Sequence, residues 1–83
     1  MSQILLNIPE DSLLALRVSA DEMGEELRMA AAAKLFEIGR LSSGAAAELA
    51  GVPKPLFLTR LGDYGVVTFR QTEDELRRDL ENA

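Results

Sequence analysis

The sequence predicts a small, mainly α-helical domain with two short β-strands and a helix-turn-helix corner. Three observations carry that prediction. Apolar residues recur at helical spacing through most of the chain. Ser or Thr followed three residues later by Glu, and glycines placed after apolar runs, mark helix starts and stops. Only QILLNI (3–8) and VVTF (66–69) have the alternation or the β-branched, aromatic composition of strands.

The elements follow in order. In QILLNI, Ile4, Leu6 and Ile8 share one face and Gln3, Leu5 and Asn7 the other, the pattern of a half-buried strand. Pro9 suits the first turn of a helix running to about Val18. Ser19 and Glu22 make a capping box that opens a long helix ending at Gly39. Its stripe is Met23, Leu27, Ala30, Ala31, Lys34, Leu35 and Ile38, and Ala30–Ala33 leaves a thin surface where another backbone can approach. Ser42 or Ser43 caps the next helix, which stops at Gly51. Pro53 and Pro55 hold Val52 and Lys54 extended, so a further helix starts at Pro55 and closes at Gly62 and Gly65. The second strand follows. Thr72 and Glu75 then form a capping box for a last helix from about Glu73 to Glu81, anchored only by Leu76 and Leu80.

The chain of 83 residues makes one domain in three parts. Residues 1–39 are the strand and helices expected to dimerise, 40–71 the helix-turn-helix and second strand, and 72–83 the acidic terminal helix. A core of this size is marginal alone, which predicts a homodimer built on the strand 3–8 or the helix 20–39.

Composition narrows the chemistry. The chain has no Cys and no His, which removes thiolate nucleophiles, disulfides, the commonest general base and the commonest zinc ligand. Paired carboxylates remain a formal option, but no catalytic residue, metal site or cofactor is expected, and the reading is not that of an enzyme. The longest apolar runs are far short of a membrane span, and no basic-then-apolar leader is visible. A cytoplasmic protein is the expectation.

Charge is unevenly placed. The net charge is −5, yet residues 40–71 carry Arg40, Lys54, Arg60 and Arg70 against Glu48 and Asp63. The one positive third therefore contains the helix pair, and binding depends on the local field.

A helix-turn-helix needs small residues where its helices cross, a Gly turn, and an apolar stripe on the second helix that frees its other face for the major groove. Ala46, Ala47 and Ala50 supply the first and Gly51 the second. At about 100° per residue, Phe57, Leu58 and Leu61 share one side, with Leu56, Thr59, Arg60 and Asp63 opposite. The candidate DNA-contacting residues are Arg40, Ser43, Lys54, Thr59 and Arg60. Two alternatives stand beside this reading. The corner could merely pack a helical domain, or a dimeric β-ribbon could present Gln3 and Asn7 to DNA instead.

The stretch KLFEIGRLSSGAAAELAGVPKPLFLTRLGDYGV, with the acidic end DELRRDLENA, resembles a small prokaryotic family known as uncharacterised protein family 0175. The resemblance covers roughly residues 27–83 well and the N-terminal strand loosely. It rests on an ordered set: Leu35–Phe36, Gly39, Ser42, the run at 46–51, Phe57–Leu58, Gly65 and the acidic helix. The chain departs from the family's pattern at Pro53, Leu56 and Arg60.

What the resemblance implies is the antitoxin half of a toxin–antitoxin pair, beside a PIN-type ribonuclease. Such an antitoxin binds its own operator DNA and neutralises the toxin. The acidic helix, through Leu76, Asp79 and Leu80, would be the toxin-binding element, lying across a basic RNA path. The alternative is a protein–protein module that neutralises or scaffolds a partner without binding DNA.

Overall fold

The computed structural model describes residues 2–67 of the chain. Among them are four α-helices: α1 (Glu10–Leu16), α2 (Ala20–Glu37), α3 (Ser43–Ala50) and α4 (Lys54–Arg60). A 3-10 helix, Leu61–Tyr64, follows α4 directly. The mainly α class is as predicted, but the two β-strands are not present among the described residues.

The reason is the lack of a partner. A strand exists by exchanging backbone hydrogen bonds with a neighbour, and a lone one gains nothing over hydrated chain. Residues 2–8 exchange none with any other described segment. Their alternation is used differently: Ile4, Leu6 and Ile8 line a groove against α1 and α2. Of VVTF, Val66 is buried in the core and Val67 is exposed, with no ladder at either residue. Residues 68 and 69 lie outside the described residues, as do the predicted terminal helix and Arg70.

Helix starts obey the sequence signals closely. The Ser19 hydroxyl accepts from the Glu22 amide at 3.2 Å, and the Glu22 carboxylate accepts from the Ser19 amide at 3.4 Å. Both halves of the capping box are therefore made. Ser42, rather than Ser43, caps α3, accepting from the Ala45 amide at 3.2 Å.

Helix ends share one device. In α2, the Arg40 amide donates to Leu35 O and the Gly39 amide to Phe36 O. In α3, Val52 donates to Ala47 O and Gly51 to Glu48 O; after the 3-10 helix, Val66 donates to Leu61 O and Gly65 to Gly62 O. Each is the paired 6→1 and 5→2 arrangement that needs a left-handed residue at the turn, supplied here by a glycine. At the end of α1 the same pair runs from Val18 to Leu13 O and from Arg17 to Leu14 O. There the left-handed residue is Arg17, at φ 57°.

The core sits between the second half of α2 and the α3–α4 corner. Met29, Ala32, Ala33 and Phe36 meet Ala46, Ala47 and Ala50, and Phe57, Leu61 and Val66 close the cluster. Alanines on both helices let α2 and α3 approach closely, so Ala32 and Ala33 of the predicted thin surface are covered within the chain while Ala31 stays exposed. The Phe36 and Phe57 rings meet edge to face, 5.9 Å apart at 83°. That geometry suits the aromatic quadrupole.

The predicted stripe of α2 is corrected. Ala31 and Lys34 are exposed, Lys34 pairing with Glu37 at 2.8 Å, while Met29, Ala32, Ala33 and Phe36 face the core. The sequence-based stripe carries the face of Met23 and Leu27 through the second half of the helix, where the core lies on another side. Met23 and Leu27 line the groove beside residues 4–8. At about 100° per residue they lie on roughly the opposite side of α2 from the core residues. The helix therefore serves two apolar faces, one per half, and α1 contributes nothing buried to either.

Candidate nucleic-acid interface

The α3–α4 corner is built from small residues inward and a glycine turn. Ala46, Ala47 and Ala50 are buried against α2, so the outer side of α3 is left to Glu48 and Leu49. Gly51, at φ 76°, turns the chain, and Val52 packs on the core as the apolar residue after the turn. Pro53 caps α4 without a side-chain hydrogen bond, and the Phe57 amide donates to Pro53 O at 2.9 Å to start the helix. The helix begins at Lys54, one residue before the sequence-based start, with Pro55 as its second residue, where no amide is needed.

A long-range clamp fixes this corner. The Arg28 Nε donates to Leu49 O at 2.7 Å, and its Nη2 donates to Glu48 O at 3.4 Å. Both carbonyls belong to the last turn of α3, where helix geometry leaves acceptors unsatisfied and the helix dipole favours a cation. Sequence reasoning did not find Arg28. Its partners are 21 and 20 residues away, and nothing local marks an arginine for such a role. A second tie joins α2 to the 3-10 helix, where Tyr64 Oη donates to Glu26 Oε1 at 3.2 Å. Burial, and then that carboxylate, raise the Tyr64 phenol above its ordinary value.

The disposition of α4 follows the helical wheel. Phe57 and Leu61 are completely buried and Leu58 is half-buried, while Leu56, Thr59, Arg60 and Asp63 are exposed. Arg60, the last residue of α4, is on the outward face, and Lys54, the first, is half-buried. Arg40 is exposed in the loop between α2 and α3. Thr59 is exposed, but its hydroxyl donates to Pro55 O at 2.9 Å, so its proton is directed to its own backbone. Ser43 differs from the rest of the predicted set. As the first residue of α3 it is only 1% exposed and faces inward. The structure thus leaves Lys54, Thr59 and Arg60 on α4 and Arg40 exposed in the loop before α3, and it withdraws Ser43.

An exposed leucine, Leu56, stands among these polar groups at 39% exposure. Leu76, Asp79 and Leu80, the predicted toxin-binding residues, lie outside the described residues. No three carboxylates among the described residues are grouped so as to hold a metal ion. No helix among them is long and apolar enough to cross a membrane.

Comparison with known proteins places the whole chain. The profile of the Uncharacterised protein family (UPF0175) matches residues 1–83. A UPF0175 protein of Aeropyrum pernix is 37% identical over 81 residues, covering 98% of this chain and 85% of the relative's length. No solved structure matches. A match over every residue, N-terminal arm included, extends the likeness read at 27–83, and the chain belongs to the uncharacterised protein family UPF0175.

Proposed function

We propose that this protein is the cytoplasmic, non-enzymatic antitoxin of a toxin–antitoxin pair, binding its operator DNA as a homodimer and neutralising a PIN-type ribonuclease. The observation that carries the DNA half is the α3–α4 corner. Its second helix buries Phe57 and turns Thr59 and Arg60 outward, and the 3-10 helix that continues it buries Leu61. Lys54 opens that helix and Arg40 precedes α3, both in the one region of positive net charge. Phosphate contacts from such cations supply affinity and position, and a helix in the major groove supplies any base reading. The toxin-binding half rests on the acidic end, residues 72–83, whose five acids against Arg77 and Arg78 suit a basic nuclease surface.

A band shift with operator-containing DNA tests the first half. With three or four phosphate contacts per protomer, the slope of log affinity against log salt should be about −3 per protomer. Lys54→Ala with Arg60→Ala should abolish the shift and leave folding unchanged. Unchanged DNA affinity in that double variant would remove the corner from the reading.

One observation favours the second reading, a module that neutralises its partner without DNA. Leu56 stands exposed in the middle of the outward face of α4, where a protein surface would welcome it and a phosphate backbone would not. Leu56→Ser separates the two. It should leave DNA binding intact if α4 reads DNA, and weaken the toxin complex if α4 docks on protein.

A further inference from the structure

We infer that Arg28 and Glu26 of α2 are positioning residues for α4, tying the corner to α2 on both sides so that its outward face is presented in one orientation. This rests on the DNA reading above and names the side chains that aim the face.

The apolar packing beneath the corner is weak in direction. α2 meets α3 largely through alanines, Ala32 and Ala33 against Ala46, Ala47 and Ala50. Apolar attraction is non-directional, and methyl groups raise only low ridges to set how one helix lies on another. Hydrogen bonds, which depend on angle as well as distance, supply what such packing lacks.

Two ties run from α2 to the corner. Arg28 donates from Nε to Leu49 O at 2.7 Å and from Nη2 to Glu48 O at 3.4 Å, a fork on the last turn of α3. Its guanidinium lies over the turn itself, where a Cβ on Gly51 would stand 3.2 Å from Nη2. Glu26 Oε1 accepts from Tyr64 Oη at 3.2 Å. The 3-10 helix Leu61–Tyr64 follows α4 without a break, so this second tie holds the far end of the same unit.

The ties leave α2 on opposite flanks. At about 100° per residue, measured from the centre of Met29, Ala32, Ala33 and Phe36, Arg28 falls roughly 90° to one side and Glu26 roughly 70° to the other. One tie is made before α4 and the other after it. Rocking α4 about the buried Phe57 ring moves the turn at one end and Tyr64 at the other, so either motion must stretch a tie. A side chain that reads a base edge has to be held to within about 0.5 Å and 10–20°.

Charge-matched variants separate aim from electrostatics. Arg28→Lys keeps the cation, but an ammonium cannot reproduce the fork. Glu26→Ala and Glu26→Gln remove the same negative charge, and only glutamine keeps an acceptor for Tyr64. Both side chains are exposed, so the fold should survive, which circular dichroism checks. On charge alone, Arg28→Lys should change nothing and both Glu26 variants should bind DNA more tightly. Aim predicts otherwise. The probe is a duplex from upstream of the chain's own gene, measured against a random duplex of equal length. Arg28→Lys and Glu26→Ala should each lower that preference about ten-fold, the worth of one base contact, while Glu26→Gln keeps it. The salt slope should be unchanged throughout, because no phosphate contact is lost.

Without DNA, residual dipolar couplings of the α4 amides relative to those of α2 read the orientation directly. They should shrink in Arg28→Lys and Glu26→Ala and match the parent in Glu26→Gln. Couplings that stay at parent values in the first two variants overturn the inference, whatever the DNA result. So does an unchanged preference beside shrunken couplings in a chain that prefers its own upstream DNA. A parent with no such preference, but with couplings that shrink as expected, refutes the DNA reading and leaves the two ties standing.

Discussion

Replacing Gly51 by alanine tests how the corner is held. At φ 76° a residue with a side chain is strained by about 1–2 kcal/mol. The new Cβ would also stand 3.2 Å from Arg28 Nη2 and 3.3 Å from its Cζ and Nη1. The guanidinium is the far end of a flexible side chain and can retreat, but only by loosening its 2.7 Å bond to Leu49 O. A hydrogen bond from a charged group is worth about 1.5–3 kcal/mol in general. Arg28 is exposed, so solvent screening reduces that to about 1 kcal/mol. Gly51→Ala should therefore cost about 2–3 kcal/mol, a large share of the ~5–10 kcal/mol available to a domain of this length. Urea unfolding followed by circular dichroism measures it, and a double-mutant cycle with Arg28→Ala divides it. In the Arg28→Ala background, only the backbone strain should remain, so the cost of Gly51→Ala should fall by about 1 kcal/mol. An identical cost in both backgrounds would refute the clamp. A cost below about 0.5 kcal/mol in the parent would refute the strain argument as well.

Three other perturbations have definite signs. Arg17→Gly relieves a left-handed arginine at the end of α1 and should stabilise by about 0.5–1 kcal/mol in urea unfolding, the relief exceeding the added entropy of the unfolded glycine. Phe57→Ala removes a fully buried ring and its edge contact with Phe36 and should cost about 3–5 kcal/mol, read as a loss of cooperative thermal unfolding. Tyr64, the one tyrosine of the chain, has its phenol raised by burial and by Glu26. Its folded-state preference for the proton contributes stability below the ordinary value of 10.0 and loses it as pH rises through the folded value. Alkaline unfolding of Tyr64→Phe should start at higher pH than that of the parent.

What the sequence made legible was local. Ser19 with Glu22, Ser42, Gly39, Gly51 and Gly65 act within a few residues of themselves, so their signals survive without tertiary knowledge. The wheel of α4 was legible for the same reason, since seven residues present one face to one neighbour. Arg17 shows the limit: it performs the same turn as the glycines, but an arginine carries no mark of a left-handed backbone. The two strands failed because a strand is a relation between segments. QILLNI has the right alternation, and a groove between helices satisfies period-two alternation as well as a sheet does. The α2 stripe failed because the helix changes its apolar face halfway, so carrying the Met23 and Leu27 face onward led to Ala31 and Lys34 and missed Met29, Ala32, Ala33 and Phe36. Of the candidate site, exposure of Arg60 was legible from periodicity. The inward turn of Ser43 depended on which of two adjacent serines took the cap, and the role of Arg28 on a contact across the fold.

Charge distribution makes the proposed dimer and the proposed DNA contact respond oppositely to salt. Residues 1–39, the part expected to dimerise, carry seven acids against three cations, so a dimer built on them brings like charges together. The Debye length falls from about 30 Å at 0.01 M salt to about 8 Å at physiological strength, so added salt should strengthen the dimer over that range. Phosphate contacts by Arg40, Lys54 and Arg60 release counterions, so the same salt should weaken DNA binding steeply. At low protein concentration and low salt the two effects compete, because the dissociated protomer brings half the cations. Band shifts at fixed DNA and varied salt should therefore show affinity per protomer rising with salt before it falls. Protein held well above the dimer dissociation constant should show only the fall. A monotonic fall at protein concentrations below the dimer dissociation constant would mean that dimerisation and DNA contact are not electrostatically opposed. The acidic half of the chain would then lie away from the surface where two copies meet.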